Sequence, residues 1–293
     1  MIPRILFTGR STLDLIYSLE QFPAEDTKIF AQALHVAPGG PATNAAITHA
    51  RLGGRAQLMT AIGQGLWAAP LRAALVPLEI EIIDLAEDTT YEIPLATVLV
   101  NEAKATRTIV NPRRSELALT RLDQWNQSWG QPPTLILSDG FHLAETLPLL
   151  RNLREQGAQI CLDGGSWKAG TDQLASLLSV AICGERFSVP GRPSHPQATP
   201  QTTMDWFAEQ AVPHVAITRG PKPIIALDRG RRFQIDIAAI DAVDTTGAGD
   251  VLHGAFCNHF ASTRNFEPSL RMAADIATRS CLHFGITGVD RSD

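Results

Sequence analysis

The sequence predicts an α/β fold in which a mostly parallel, doubly wound sheet is flanked by helices and accompanied by a small β-sheet. Two observations predict it: short apolar runs alternate with segments of helical period, and two other segments interrupt that alternation. Repeated strand–helix–strand units with right-handed crossovers build a doubly wound sheet. Ligands bind such sheets outside the carboxyl ends of the strands, so we expect the functional residues at that edge.

Six short apolar runs, each closed by glycine or a polar turn, are the predicted strands of the main sheet. They are RILFTG (4–9), QLMTAIG (57–63), TLILSDG (134–140), QICLDGG (159–165), SVAICGE (179–185) and HVAITRG (214–220). Between two of them, residues 144–157 carry leucines on one helical stripe and end at Gly157, which is typical of an amphipathic helix with a glycine cap.

The two interrupting segments, residues 14–40 and 91–111, predict antiparallel strands that are exposed on one face. The second alternates apolar and polar residues around a turn at 101–105. We therefore assign residues 14–37 and 89–112 to a small β lid over the ligand edge, and residues 1–13, 38–88 and 113–293 to a main α/β domain. An exposed lid sheet also predicts a homodimer that forms through the lid.

The composition predicts an ordinary globular protein of the cytoplasm, because 44% of the residues are hydrophobic and 19% are charged. We expect neither a signal peptide nor a membrane span, since the chain has no run of about 18 apolar residues. A formal charge of -5 with scattered basic residues argues against nucleic-acid binding. The four cysteines form no zinc motif and are predicted to be reduced, mostly buried thiols. His253 and His259 are expected at the core edge or in solvent.

Residues 241–256, DAVDTTGAGDVLHGAF, place small residues and an acid at the start of a predicted helix. The first N–H groups of a helix have no partner within it and the macrodipole is positive there, so Gly247, Ala248 and Gly249 form a pocket for an anion. A lone acid in a first turn would only stabilise the helix, by about 0.3–1 kcal/mol. Beside an anion pocket, Asp250 is placed to accept a proton from a hydroxyl that attacks a phosphoryl group.

Residues 244–250 closely resemble the signature of the ribokinase-like (PfkB) carbohydrate kinases, D-T-x-G-A-G-D, at every specified position. The resemblance implies that Asp250 is the catalytic base and that the amides of residues 247–249 hold the phosphate in transfer. It also implies that Thr246 lies beside the nucleotide and that a monovalent cation, K⁺, binds close to Asp244 in some members.

Residues 37–54, APGGPATNAAITHARLGG, resemble the glycine-pair motif of the same family. The resemblance implies that Gly39 and Gly40 contact the sugar and act as a hinge for lid closure, and that Asn44 hydrogen-bonds sugar hydroxyls. Asp14, shortly after the first strand, matches the acidic sugar ligand of the family, because a carboxylate accepts hydrogen bonds from two adjacent hydroxyls.

Lys28 and Asn111 lie where the sulfosugar branch of the family has residues that face an anion. Phe141 replaces the arginine expected in that branch, so we assign neither a sulfonate nor a phosphate substrate. Basic residues near the lid either read an acidic sugar or reflect an arginine-rich composition; they are Arg107, Arg113 and Arg114.

Residues 216–220, AITRG, are similar to the family motif V-T-x-G-x-x-G, which implies that Thr218 and Gly220 lie near the nucleotide phosphates. Pro223 replaces the last glycine and lacks an N–H. The Asn-x-x-Glu motif that organises magnesium in the family is not present at 182–188, and Glu185 is the candidate to replace it. The resemblance implies ATP and Mg²⁺ as cofactors.

These features predict an ATP-dependent kinase that transfers the γ-phosphoryl group to a primary hydroxyl of a small carbohydrate, with a ketohexose as one candidate. A nucleoside kinase of the same superfamily is an alternative, in which Phe30, Phe141 or Trp167 would stack on a base. A sugar or nucleotide sensor with weak catalysis is another.

Overall fold

A computed structural model describes residues 4–86, 90–104, 106–112, 132–193, 200–285 and 289 of the chain. In these residues the strands are β1 (Arg4–Thr8), β2 (Thr12–Leu19), β3 (Ala33–Gly39), β4 (Arg55–Thr60), β5 (Glu81–Asp84), β6 (Leu95–Asn101), β7 (Thr106–Val110), β8 (Leu135–Ser138), β9 (Gln159–Gly164), β10 (Val180–Gly184), β11 (His214–Arg219), β12 (Lys222–Asp228) and β13 (Arg231–Ile235). The helices are α1 (Pro41–Arg51), α2 (Ala68–Leu75), α3 (Leu143–Glu155), α4 (Thr171–Ala175), α5 (Pro200–Glu209), α6 (Ala248–Thr263) and α7 (Phe266–Ser280).

The main sheet of the described residues has nine strands in the order β13-β12-β11-β10-β9-β8-β1-β4-β5. All six predicted strands are confirmed and pair in parallel, while β12 and β13 add an antiparallel edge. The chain leaves β1 towards β4 and β5 and then returns to the other side at β8. The strand order therefore reverses between β1 and β8. Ligands bind doubly wound sheets at such a point, in the crevice outside the carboxyl ends of the strands.

Helices cover both faces of this sheet. Successive residues of its buried strands point to opposite sides, so each face carries apolar side chains that pack against helices. Phe7 packs in one apolar cluster with α1, α6 and α7, whereas Leu6 packs in another with α3 and α5. The helix predicted at 144–157 is confirmed as α3, and Gly157 follows its end with a φ of 96°. None of the helices that the structure describes is long and apolar enough to cross a membrane.

The four remaining strands form a separate small sheet in the order β3-β2-β6-β7. The pairs β2–β3 and β6–β7 are antiparallel as expected, but β2 and β6 are parallel, which corrects the expectation of antiparallel strands throughout. The reason is that the chain passes through α1, β4, α2 and β5 before it returns, so β6 enters the sheet from the same end as β2. Residues 1–3, 87–89, 105, 113–131, 194–199, 286–288 and 290–293 of the predicted lid and main domain lie outside the described residues.

The two faces of the small sheet differ in burial. Ile16, Val98 and Val100 are buried on the inner face, and Asp14 shares this face because it is two residues before Ile16. On the other face, Val36 pairs with Leu15, and Leu34 pairs with Tyr17. Leu34 and Val36 are 52% and 56% exposed, so this outer face carries apolar side chains in contact with solvent.

Candidate active site

The first turn of α6 lies at the carboxyl edge of the main sheet and carries the predicted anion pocket. Gly247 is the N-cap, and its carbonyl accepts the hydrogen bond from the N–H of Val251. Gly249 is exposed and a Cβ there would meet open space, so the turn is accessible to a ligand. Asp250 lies in this turn, and the amide nitrogen Nδ2 of Asn44 donates to its Oδ2 at 2.7 Å.

The carboxyl group of Asp250 has an unusually high proton affinity for an aspartate. Burial raises its pKa to about 7, and the negative charge of Asp163 acts in the same direction. The hydrogen bond from Asn44 and the charges of His253 and Arg107 oppose this rise. A carboxylate with a pKa near the working pH is suited to accept a proton during catalysis.

Asp14 and the glycine pair meet where β2 and β3 are paired. A Cβ on Gly39 would lie 2.2 Å from the carboxyl group of Asp14, and a Cβ on Gly40 would lie 2.2 Å from the carbonyl oxygen of Arg10. Gly40 also has a φ of 95°, which favours glycine. Glycine is therefore needed at both positions for local packing alone. The pattern of residues at the start of the predicted helix did not reveal this reason.

The side chain of Asp14 is mostly enclosed and accepts a hydrogen bond at Oδ1 from Oγ1 of Thr12 at 2.6 Å. Burial raises the pKa of Asp14, although this hydrogen bond and the charge of Arg10 oppose the rise. Asn44 lies in α1, directly after the glycine pair, and its Oδ1 is buried and accepts no hydrogen bond from the described residues. Such an acceptor is available to a hydroxyl of a bound molecule.

Sequence reasoning missed Asp139, which organises the point where the strand order reverses. It follows β8 directly and accepts backbone N–H bonds from Arg10 at 2.8 Å, Phe141 at 2.9 Å and Ala42 at 3.2 Å. Burial raises the pKa of Asp139 to about 6. This carboxyl group ties the turn after β1, the start of α1 and the turn after β8 together; an acid directly after a buried strand was the available signal.

Aromatic residues considered for base stacking occupy different surroundings. Trp167 packs against Phe187 and Trp206, with ring centroids 6.1 and 5.1 Å away. Phe30 is 88% exposed, and the Nζ of Lys28 lies 5.7 Å from its ring centroid.

Phe141 lies next to two cations at the carboxyl edge of the sheet. The guanidinium carbon of Arg10 is 5.2 Å from its ring centroid, and the Nζ of Lys168 is 4.5 Å from it. The position where the sulfosugar branch has an arginine is therefore occupied by a phenyl ring beside the charge of Arg10. Asn111 is exposed.

The predicted nucleotide side is more open. Thr218 is next to last in β11 and donates from Oγ1 to the carbonyl of Cys183 at 3.3 Å. Gly220 is exposed with open space around it. The Oε1 of Glu185 lies 3.3 Å from Nε of Arg219 and 3.5 Å from Nζ of Lys222. Partial burial acts to raise the pKa of Glu185, but the hydrogen bonds and charges of these two cations lower it.

Asp244 is buried and closes the loop that precedes α6. Its Oδ1 accepts the N–H of Thr246 at 2.8 Å and its Oδ2 accepts the N–H of Gly285 at 2.9 Å. Oγ1 of Thr246 is buried and makes no hydrogen bond with the described residues. Both carboxylate oxygens of Asp244 therefore already hold the loop, which leaves only their second lone pairs for a cation.

The small sheet contacts the same loop through Arg107 of β7. Nη1 of Arg107 donates to the carbonyl oxygen of Thr245 at 3.1 Å and to its Oγ1 at 2.9 Å. The positive charge of Arg107 also acts on Asp250. Arg113 and Arg114 lie outside the described residues.

The four cysteines are free and buried, as predicted. Within the described ranges, the structure has no group of three or more His, Cys, Asp and Glu side chains that could hold a metal ion. Mg²⁺ is commonly bound through substrate phosphates, waters and one or two carboxylates, so it fits this site as a complex with ATP better than as a caged ion.

A family model described as "pfkB family carbohydrate kinase" matches residues 3–290. The deoxyribokinase of Salmonella typhi is 21% identical over 294 residues, which are 97% of this chain and 92% of that protein.

Two solved structures extend this likeness to the fold. The ribokinase of Arabidopsis thaliana, complexed with ribose and ATP, has a TM-score of 0.77 at 18% identity and covers 99% of this chain and 96% of its own. The nucleoside kinase of Methanocaldococcus jannaschii, an archaeal member of the ribokinase family, has a TM-score of 0.74 at 16% identity and covers 99% of this chain and 95% of its own.

Proposed function

The chain belongs to the pfkB family of carbohydrate kinases, and from this premise we propose that it transfers the γ-phosphoryl group of ATP to a primary hydroxyl of a small carbohydrate. Members of the family are phosphotransferases with an alcohol group as acceptor. The observation that carries the proposal is the position of Asp250, next to the exposed Gly249 in the first turn of α6 and joined to Asn44 at 2.7 Å.

In the proposed reaction Asp250 accepts the proton of the sugar hydroxyl while the hydroxyl oxygen attacks the γ-phosphorus. The bond between that phosphorus and the bridging oxygen breaks, and ADP leaves. The N–H groups of Gly247, Ala248 and Gly249 stabilise negative charge on the group in transfer. Asp14 accepts hydrogen bonds from two sugar hydroxyls, and the free Oδ1 of Asn44 accepts another.

The nucleotide would lie along Thr218, Gly220 and Thr246, at the edge formed by β10, β11 and the loop before α6. When bound, Mg²⁺ would neutralise charge on the phosphates of ATP. Glu185 is the candidate to orient water around that ion, although two cations already offset its charge. A K⁺ ion near Asp244 would have to share this carboxylate with two backbone N–H groups.

We favour a carbohydrate over a nucleoside because Trp167 is engaged by two aromatic side chains and Phe141 lies beside two cations. A ketohexose remains our candidate acceptor. Lys28, Asn111, Gly39 and Gly40 belong to the proposed acceptor side. In this arrangement the small sheet closes over the sugar as a lid and excludes water, which would otherwise compete as a nucleophile.

One screen tests the reaction and the substrate class together. ADP production is measured with Mg-ATP and a panel of ribose, deoxyribose, fructose, other ketohexoses, an acidic sugar, a sugar phosphate and adenosine. ADP release that depends on a carbohydrate supports the proposal. Turnover of adenosine alone would favour the nucleoside kinase, and binding of sugar or ATP without any turnover would favour the sensor.

The outer face of the small sheet supports a homodimer formed through the lid, because Leu34, Val36 and Val110 are more than half exposed. Val36→Asp should convert the dimer to a monomer in analytical ultracentrifugation, since a buried unpaired carboxylate opposes association. Val76→Asp, at a valine that is 71% exposed on the main domain, is the matched control and should leave the mass unchanged. A monomeric unmodified protein at micromolar concentration would contradict this part of the proposal.

A further inference from the structure

Asp163 and His253 form a buried pair behind the first turn of α6, and neither was assigned a function from the sequence. Asp163 is next to last in β9, and His253 lies one helical turn after Gly249; each residue is 5% exposed. Nδ1 of His253 is 3.3 Å from Oδ2 of Asp163. That Oδ2 is buried and accepts no regular hydrogen bond from the described residues, so His253 is the neighbour placed to balance its charge.

The imidazole ring of His253 is surrounded by acceptors. Its Nδ1 is 2.7 Å from the carbonyl oxygen of Gly249, and its Nε2 is 3.1 Å from the carbonyl oxygen of Ile182. Carbonyl and carboxylate oxygens donate nothing, so both ring nitrogens satisfy these contacts only when both carry hydrogen. With hydrogen on both nitrogens, the ring joins the turn at Gly249 to β10, next to Asp163 of β9.

The pair also acts on the proposed base. The charge of Asp163 favours the protonated form of Asp250, and the charge of His253 favours the ionised form. From the other elements packed here, Asn44 of α1 and Arg107 of β7 also favour the ionised form.

The charge of Asp163 also acts on other titratable groups around it. The neighbouring groups affected by its charge are Asp139, Lys168, Cys183 and Cys257. Nδ1 of His253 lies directly against Oδ2 of Asp163, and the imidazole is a cation there when it is protonated.

We propose that Asp163 and His253 are positioning residues that hold the Gly249 turn and set the pH range in which Asp250 works as a base. The inference rests on the proposed role of Asp250 and adds the group that controls it. Neither residue needs to touch the substrate. The pair acts because an imidazolium balances a carboxylate that would otherwise hold the proton on Asp250.

The test compares pH profiles of kcat/KM for the unmodified protein, His253→Gln, Asp163→Asn and the double variant, with the best acceptor from the screen. In His253→Gln the midpoint of the acid limb should move up by about one pH unit, and in Asp163→Asn it should move down by about one. The double variant should return close to the unmodified midpoint. His253→Gln should also regain most of its lost turnover at high pH, which a misplaced helix would not do.

The results separate failure of this inference from failure of the proposed function. Two single variants with unchanged midpoints, or with midpoints moved in the same direction, overturn the role of the pair. If Asp250→Asn keeps its turnover, the proposed base is wrong. If Asp250→Asn is inactive and the midpoints do not move, the base stands and only the pair is wrong.

A second measurement needs no substrate. In protein labelled with ¹⁵N-histidine, NMR at pH 7 should show both ring nitrogens of His253 bonded to hydrogen, in the unmodified protein and in Asp163→Asn, because the two carbonyl contacts remain in both. His259 lies six residues further along α6, with its Nδ1 2.9 Å from Oγ of Ser269, and serves as the internal reference. A neutral His253 in the unmodified protein at pH 7 overturns the proposal, even if His253→Gln does not fold.

Discussion

The proposed acceptor side and the proposed nucleotide side of the candidate site are built differently. On the acceptor side, Asp14, Asn44 and Asp250 are enclosed and hydrogen-bonded, and they come from β2, α1 and α6. On the nucleotide side, Gly220 is open and the carboxylate of Glu185 is paired with two exposed or half-buried cations. The difference teaches that side-chain chemistry is concentrated on the acceptor side, whereas the nucleotide side offers backbone groups and space.

Asp250→Asn should have the largest effect, because it removes the proton acceptor and keeps the shape of the side chain. We expect kcat to fall by about 10³-fold or more while the affinity for ATP is retained, as measured by ADP production and calorimetry. Asp172→Asn changes an exposed acid in the first turn of α4 and should keep full turnover. Substantial turnover by Asp250→Asn would show that this carboxylate is not the proton acceptor, and the chemical contrast between the two sides would be lost.

Asp14→Ala should act mainly on sugar binding. Loss of charge-assisted hydrogen bonds to two hydroxyls should raise the sugar KM by about 10- to 100-fold with a smaller change in kcat. Glu25→Ala, at an exposed acid in the β2–β3 connection, is the control for the loss of one charge from the small sheet. An unchanged sugar KM in Asp14→Ala would remove this residue from the acceptor side.

The pH dependence of kcat/KM should show the raised proton affinity of Asp250. Its pKa is raised to about 7, so the ionised base is lost as the pH falls through this value. Well below the midpoint, the rate should drop about tenfold for each pH unit. An acid limb with a midpoint near 4, the ordinary range of an aspartate, would show that burial does not control this group in the working enzyme.

Glu185→Gln should have the smallest effect. The charge of Glu185 is already offset by Arg219 and Lys222, so we expect less than about a threefold change in kcat and in the Mg²⁺ concentration for half-maximal activity. A large loss of kcat together with a higher Mg²⁺ requirement would show that this carboxylate organises the metal. The nucleotide side would then depend on side-chain chemistry after all.

Local patterns in the sequence were enough for the main elements. The six apolar runs became six parallel strands, and the small residues before Asp250 became the start of α6, because strand periodicity and helix termini depend on neighbouring residues. The raised pKa of Asp250 could not be predicted in this way, since it comes from burial and from the charge of Asp163, 87 residues away in the chain.

The sequence by itself determined the fold class, the six parallel strands of the main sheet and the residue types of an anion pocket beside an acid. Only the tertiary structure decided that Asn44 holds Asp250, that Asp139 collects three backbone N–H groups and that β6 runs parallel to β2. The physical reason is that these contacts join residues far apart in the chain. Their geometry depends on how whole helices and strands pack, which no local pattern of residues specifies.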